Sequence, residues 1–283
     1  MRTEPPIGKF PTEVFGQVYS NISEDGHKTI ENQHCPYICT ECKKPRKSEP
    51  TIKVGVCSLG YKGGFINKHI PVIVCPHRLS TSEVFHTLNK EFFLNWKNVN
   101  YTKEVGMGVG GNVDFVAYEK NGIKITDFSC IEFQAAGTTG TPWPAIQDLK
   151  IHKKYRKKSY NYGINWANEF VKTMMQQVYK KGKIATLWKK NIIFIVQDVA
   201  IDYIRSSCDS SGLRDYDPNS YIHFCTFSMH WENNCWKLIF KEKISSDIQG
   251  INKILSGAHE DDYISIDAFI DNINKKSAKD NKS

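Results

Sequence analysis

Apolar and polar positions alternate along the chain in two rhythms, one typical of helices and one of strands. Residues 80–93 open with Ser-Thr-Ser-Glu, a common helix start, and continue with apolar residues three and four positions apart. Residues 166–183 carry a stripe of aromatic, Met and Val residues, which predicts a helix whose apolar face packs in the core. Residues 113–118 and 123–133 predict strands, and Asn121-Gly122 between them is typical of a hairpin turn.

The remaining apolar runs are short and predict further strands. Residues 192–198 predict a buried strand, and 221–230 and 236–243 predict strands separated by polar turns. The Lys- and Asn-rich segment after Ile273 is predicted to be disordered. No run is long enough to span a bilayer, and 283 residues suffice for one core domain with a smaller module. We therefore predict an α/β fold, a mixed central sheet flanked by helices, with an N-terminal region at 1–78, a core at 79–205 and a C-terminal extension at 206–283.

Cysteines are concentrated in the first quarter of the chain, at positions 35, 39, 42, 57 and 75. The first twenty residues resemble neither a signal peptide nor a membrane anchor, so we expect a cytoplasmic protein whose thiols stay reduced. Crowded thiols in such a chain favour metal ligation over disulfides, with Zn²⁺ the expected ion for four thiolates. Cys39 and Cys42 have the spacing of a zinc knuckle. The alternative is that these cysteines are free buried thiols.

The chain is basic, with 38 Lys and Arg residues against 30 Asp and Glu residues and a net charge of +8. Such an excess favours a polyanionic partner. Much of it lies in one run: Lys150, Lys153, Lys154, Arg156, Lys157 and Lys158. A second group accompanies the cysteines: Lys43, Lys44, Arg46, Lys47, His77 and Arg78. A charged run is usually a solvated loop, and the other interpretation is contact with a nucleic-acid backbone.

The predicted hairpin carries an acidic pair. Asp114 lies in its first strand, and Glu132 and Gln134 lie two positions apart in the second, where alternate side chains share a face. Two carboxylates suit Mg²⁺, which activates an attacking water and neutralises charge on a phosphate. The alternative is that both acids are solvated or cap a turn.

The order of these segments resembles that of NotI-like restriction endonucleases. The matching segments are Cys35-Pro36-Tyr37, Cys42-Lys43-Lys44, Gly55-Val56-Cys57, Val74-Cys75-Pro76-His77-Arg78, Asp114, Ile131-Glu132-Phe133-Gln134 and Thr173-Met174-Met175-Gln176-Gln177-Val178-Tyr179-Lys180. They cover residues 35–180 in the family's order. Gln134 stands where the strict PD-(D/E)xK nuclease motif has Lys, so the positive charge of that motif is missing here.

The resemblance implies a PD-(D/E)xK nuclease core that cuts double-stranded DNA with Mg²⁺. It implies that Asp114 and Glu132 bind Mg²⁺ and that Gln134 orients water or phosphate. It also implies a structural four-thiolate metal site that holds iron, with these ligands: Cys35, Cys42 (or Cys39 in its place), Cys57 and Cys75. Cutting both strands of a palindromic site predicts a homodimer, and the family implies a cognate DNA methyltransferase.

Two other functions remain open on the sequence. One is a non-catalytic DNA-binding protein in which Asp114 and Glu132 are structural, and the other is a repair nuclease of the same fold that prefers branched or damaged DNA. The predicted helices offer further candidates. Glu83 or Glu91 could add a carboxylate, and Lys172 and Gln176 lie four apart, where they could contact phosphate.

Overall fold

A computed structural model describes residues 4–257 and 264–280, with side chains up to residue 277. The strands are β1 (Pro11–Val14), β2 (Gln17–Val18), β3 (His34–Cys35), β4 (Thr40–Glu41), β5 (Pro45–Arg46), β6 (Glu49–Lys53), β7 (Val56–Tyr61), β8 (Ile70–Ile73), β9 (Asn100–Gly106), β10 (Asn112–Asn121), β11 (Lys124–Gln134), β12 (Thr139–Gly140), β13 (Tyr162–Gly163), β14 (Asn191–Gln197), β15 (Arg214–Asp215), β16 (Ile222–Glu232) and β17 (Cys235–Ser246). The α-helices are α1 (Glu24–Glu31), α2 (Ser82–Phe92), α3 (Trp143–His152), α4 (Gln176–Trp188), α5 (Asp198–Ser207), α6 (Ile248–Ser256) and α7 (Ile266–Asp280). Short 3₁₀ helices span Pro76–Leu79 and Gly108–Gly110, and a π-helix at Ala167–Met175 leads into α4.

A seven-stranded mixed sheet forms the centre, in the order β15-β17-β16-β14-β11-β10-β9. Strand β14 pairs in parallel with β11 and β16, and the outer pairs are antiparallel. Side chains from both faces of β14 are buried, with Ile192 and Phe194 in one apolar cluster and Ile193 and Ile195 in another. Burial on both faces explains why β14 is a continuous apolar run. The predicted α/β architecture, a mixed sheet flanked by helices, is confirmed.

Helices cover the two faces of this sheet. Helix α2 places Val84 and Leu88 in the cluster that contains Ile193 and Ile195. The π-helix and helices α3 to α6 contribute to the cluster on the other face. The predicted helix near 80–93, the hairpin and the buried strand near 192–198 are confirmed as α2, β10–β11 and β14. At the hairpin turn Gly122 has a φ of 60°, a left-handed conformation that glycine adopts without strain.

Two segments differ from the prediction. The helix predicted over 166–183 begins as a π-helix, whose wider turns are closed by i→i+5 hydrogen bonds, and becomes α-helical only at Gln176. The segment after Ile273, predicted to be disordered, is helical up to Asp280, and residues 281–283 lie outside the described part. The prediction missed this helix because it rested on the polar composition and overlooked apolar residues at helical spacing. These are Ile266, Phe269, Ile270 and Ile273, all exposed.

The N-terminal region forms a second sheet, in the order β2-β1-β7-β8. The side chain of Gln197, at the end of β14, connects it to the central sheet. Gln197 accepts a hydrogen bond from the Ile73 amide at 2.8 Å and donates one to the Pro71 carbonyl at 2.7 Å. The Ala136 amide, just beyond β11, donates to the Ile73 carbonyl at 3.0 Å. Buried residues of both regions belong to the same apolar cluster, so the two sheets share a core.

Among the helices at 4–257 and 264–280, none combines the length and apolarity needed to cross a membrane.

Candidate functional site

The two acidic side chains singled out in the sequence meet across the β10–β11 hairpin. Phe115 pairs with Ile131 in the antiparallel register, so Asp114 and Glu132 occupy the next opposing positions. An Asp114 carboxylate oxygen accepts a hydrogen bond from the Phe133 amide at 2.8 Å. Glu132 is 4% exposed, and burial raises its pKa to about 7, with the neighbouring Asp114 charge acting in the same direction. The hairpin thus holds two interacting carboxylates, one of them removed from solvent.

Lys181 forms an ion pair with Glu132 and was not predicted from the sequence. It lies on α4, is 8% exposed, and its ammonium donates to the Asn112 carbonyl at 2.7 Å and to Glu132 Oε1 at 2.5 Å. The pairing with Lys181 opposes the rise in the pKa of Glu132. A signal was present, because Lys181 falls three residues after Val178 and four before Ala185, on the apolar face of the helix. A cation at such a position requires a buried partner.

Gln134 points to the same helix. Its Nε2 donates to Gln177 Oε1 at 3.1 Å. Gln176 and Lys172, the pair suggested from the sequence, are exposed. Gln177 and Lys181, four residues apart in α4, are the residues of this segment whose side chains reach the hairpin instead.

A cavity of about 240 Å³ opens beside Asp114. It is lined by Lys43, which follows Cys42 in the chain, and by His77. Lys103 and Glu104 of the edge strand β9 also line it. The pKa of His77 is lowered by burial, and the Asp114 carboxylate opposes that effect, which places the imidazole within the field of the acid. The cavity therefore combines a carboxylate of the hairpin with cations, a mixture that accommodates a metal ion together with a phosphate.

Neither helical glutamate suggested as an extra carboxylate lies at this cavity. Glu91 forms an ion pair with Lys243 at 3.1 Å. Glu83, in the first turn of α2, lines a different cavity with Arg78 and Trp236. The carboxylate that does line the Asp114 cavity is Glu104, whose backbone is left-handed with a φ of 54°.

Four of the five N-terminal cysteines are buried: Cys35, Cys42, Cys57 and Cys75. Burial raises the pKa of three of these thiols, and each of the three also feels the charge of others in the set, with Cys42 acting on Cys35 and Cys75. The four thiols therefore lie within electrostatic range of one another. Across 4–257 and 264–280, no three His, Cys, Asp or Glu side chains converge closely enough to hold an ion.

Cys39 differs from the other four. It is exposed, its backbone is left-handed with a φ of 53°, and its Sγ donates to the Pro36 carbonyl at 3.6 Å. Cys42 is the member of the Cys39 and Cys42 pair that is buried with the rest.

Arg78, grouped in the sequence analysis with residues that could contact a nucleic-acid backbone, is unavailable for that role. It is 4% exposed, and its Nε donates to both carboxylate oxygens of Glu13 at 2.9 and 3.1 Å. Its Nη2 donates to the Trp236 carbonyl at 2.7 Å, and Ser58 donates to Glu13 Oε2 at 2.7 Å. This network connects β1, β7 and β17, so Arg78 links the N-terminal sheet to the central one.

We expect Arg78→Met to lower the free energy of unfolding by about 3–5 kcal/mol, because Glu13 would be left as an unpaired buried charge. Urea unfolding at neutral pH measures the loss. Arg205→Met, which breaks an exposed pair with Glu242, is the matched control and should cost at most about 1 kcal/mol. Equal effects of the two substitutions would contradict the structural role of Arg78.

The basic run at 150–158 covers the end of α3 and the following loop. Several members have intramolecular partners: Lys153 pairs with Glu31, Lys158 with Asp148 at 3.2 Å, and Arg156 bonds to His152 at 2.8 Å. Lys154 and Lys157 are exposed. The Tyr155 ring packs against Phe10 and Tyr19, with centroids 5.3 and 5.7 Å apart, and anchors the loop to the N-terminal sheet.

A groove of about 410 Å³ lies between the second basic group and the chain that follows β11. Lys44, Arg46 and Lys47 line one side, and residues of the segment 138–143 line the other. The Arg46 guanidinium stacks over the Trp143 ring at 4.8 Å, and the Lys150 ammonium lies 5.5 Å from the same ring. Both basic groups therefore converge on Trp143, nine residues after Gln134 in the sequence.

No protein-family model matches this sequence, and a comparison with curated proteins finds no match either.

Proposed function

We propose that this protein is a Mg²⁺-dependent endonuclease of the NotI-like type II restriction class, built on a PD-(D/E)xK core, that cuts double-stranded DNA at a short specific sequence. The observation that carries the proposal is the opposition of Asp114 and Glu132 across β10 and β11, with Asp114 lining a cavity that Lys43, His77 and Lys103 also line and Glu132 buried behind it. Acids at this register, rather than scattered over the surface, are what a phosphodiester-cleaving metal site requires.

The donor set fits a hard divalent cation. The Asp114 and Glu132 carboxylates would hold Mg²⁺, which when bound lowers the pKa of a water molecule and neutralises charge developing on the phosphate. Gln134, oriented by Gln177, presents an amide that can hydrogen-bond either that water or a phosphate oxygen. Lys43 and Lys103 add positive charge at the cavity, where a DNA phosphate would lie.

The cysteines fit a second, structural metal. Cys35, Cys42, Cys57 and Cys75 are buried in one region and offer four sulfur donors, the set that suits Zn²⁺ or iron. Cys42 rather than Cys39 would be the ligand, since Cys39 is exposed. A bound ion would fix the loops that carry Lys43 and His77 next to Asp114.

The proposed DNA surface runs from this cavity along the groove at Trp143 to the exposed lysines of the 150–158 run. A symmetric target would be cut by a homodimer. The cell would require a methyltransferase that protects the same sequence.

Purified protein incubated with unmethylated phage DNA and Mg²⁺ tests the proposal, with EDTA as the control. Discrete fragments that require Mg²⁺ are the expected result. A smear, or a strong preference for branched over linear DNA, would favour a repair nuclease. A plasmid that is retarded on a gel but never cut would reject cleavage altogether.

The second candidate is a DNA-binding protein without catalysis. One observation favours it: Glu132 is already paired with Lys181, so its charge is satisfied without a metal. In that case Asp114 and Glu132 stabilise the hairpin, and DNA binding would be the same with Mg²⁺ and with EDTA.

A further inference from the structure

Lys181 occupies a position where a charge is costly. The residue lies on the buried face of α4, and taking an ammonium out of water is unfavourable unless it is paired. Methionine would fill a similar volume on that face without any charge. The Glu132 carboxylate compensates the cost of burying Lys181, and Lys181 in turn compensates the cost of burying Glu132.

The contacts of Lys181 join three elements at the site. From α4 its ammonium reaches the Asn112 carbonyl on β10 and the Glu132 carboxylate on β11. Asn112 is the first residue of β10, two residues before Asp114, so Lys181 bridges the start of β10 to the Glu132 carboxylate. An ammonium has three donors, and these two acceptors use two of them.

Gln134, two residues after Glu132 on β11, does not supply a cation to these carboxylates. Gln134 is neutral and is bonded to Gln177, which is also neutral. In the described part of the chain, Lys181 is the buried cation that pairs with the hairpin acid Glu132.

We propose that Lys181 is the built-in cation of this carboxylate pair: it neutralises Glu132 before a divalent metal binds, and then supplies the positive charge toward the substrate phosphate that Gln134 does not carry. The second half of this inference rests on the proposed nuclease function, whereas the first half does not. An ammonium and a metal ion compete for the same carboxylate, so Lys181 should weaken metal binding while it accelerates cleavage.

Two measurements on the full chain separate these effects. Isothermal titration with Mn²⁺ reports metal affinity, and single-turnover cleavage at saturating metal reports the rate. We expect Lys181→Met to bind Mn²⁺ about tenfold more tightly than the wild type and to cleave at least about 100-fold more slowly. Lys181→Arg keeps the charge and should have a Mn²⁺ affinity near that of the wild type. Lys180→Met, at the exposed neighbouring position, is the matched control and should change neither quantity.

Other outcomes identify which proposal fails. A wild type that cuts no DNA, together with tighter Mn²⁺ binding by Lys181→Met, would reject the nuclease function and support the neutralising role of Lys181. Unchanged Mn²⁺ affinity in Lys181→Met would overturn the inference whatever the cleavage result. So would a parallel fall in affinity and rate, which is the signature of a residue that only positions Glu132. If circular dichroism shows Lys181→Met to be unfolded, Lys181→Gln provides the same comparison, since its amide can still donate to Asn112 and Glu132.

Discussion

Asp114→Asn should abolish DNA cleavage while DNA remains bound. The substitution removes the charge that we propose binds Mg²⁺ but keeps the shape of the side chain and an oxygen that can accept from the Phe133 amide. Several kcal/mol of transition-state stabilisation would be lost, and about 1.4 kcal/mol corresponds to tenfold, so we expect a fall in the single-turnover rate of about a thousandfold. Gel retardation with EDTA present measures affinity separately and should change little.

The matched control for this experiment lies on the same hairpin. Asp127 is a carboxylate of β11 at the end remote from Gln134, where it pairs with Lys190 on the surface. Asp127→Asn should retain wild-type cleavage. A residual activity of Asp114→Asn equal to that of Asp127→Asn would remove Asp114 from the metal site and with it the proposed mechanism.

Replacing Cys57 should produce the largest loss of stability. Cys57 is buried and feels the charges of Cys75 and Cys35, so a serine there would remove one of the four sulfur donors of the proposed site. Structural Zn²⁺ contributes ~10 kcal/mol to the folding of small modules. We expect Cys57→Ser to lose the bound metal, measured by elemental analysis of the purified protein, and about 4 kcal/mol or more of unfolding free energy.

Cys39→Ser is the internal control, because it changes an exposed thiol of the same N-terminal region. It should keep both the metal and the stability. A Cys39→Ser protein without metal would make Cys39 the ligand in place of Cys42. Wild-type protein purified with no Zn or Fe, and as stable in chelator as without it, would reject the metal site and leave four buried free thiols.

Local patterns in the sequence were sufficient for the central sheet. The β10–β11 hairpin follows from two apolar runs around Asn121-Gly122, and β14 follows from an unbroken apolar run. The turn register alone would pair Asp114 with Ile131, because Asn121 pairs with Lys124. A β-bulge between Glu119 and Lys120 shifts the pairing by one residue, and this shift opposes Asp114 to Glu132. These features depend on residues close together in the chain, which is why a single sequence contains them.

The missed features depend on contacts between distant residues. Lys181 is 49 residues from Glu132, and its role appears only when α4 packs on the hairpin. The π-helical turns at Ala167–Met175, which lead into α4, leave no simple periodic signal. Arg78 was interpreted as a surface cation because its partner, Glu13, lies 65 residues earlier with no local sign of the pairing.

The bond between Gln197 and the N-terminal sheet has a consequence for the order in which the protein folds during translation. Ile73 of β8 is synthesised 124 residues before Gln197, whose side chain accepts the hydrogen bond of the Ile73 amide. At ~5–20 residues per second, on the order of ten seconds pass before that partner leaves the ribosome. Throughout that interval, strands β7 and β8 and the thiols of Cys57 and Cys75 have no central sheet to pack against. Until then the Ile73 amide and the Pro71 carbonyl lack the side-chain partner that they have in the folded protein.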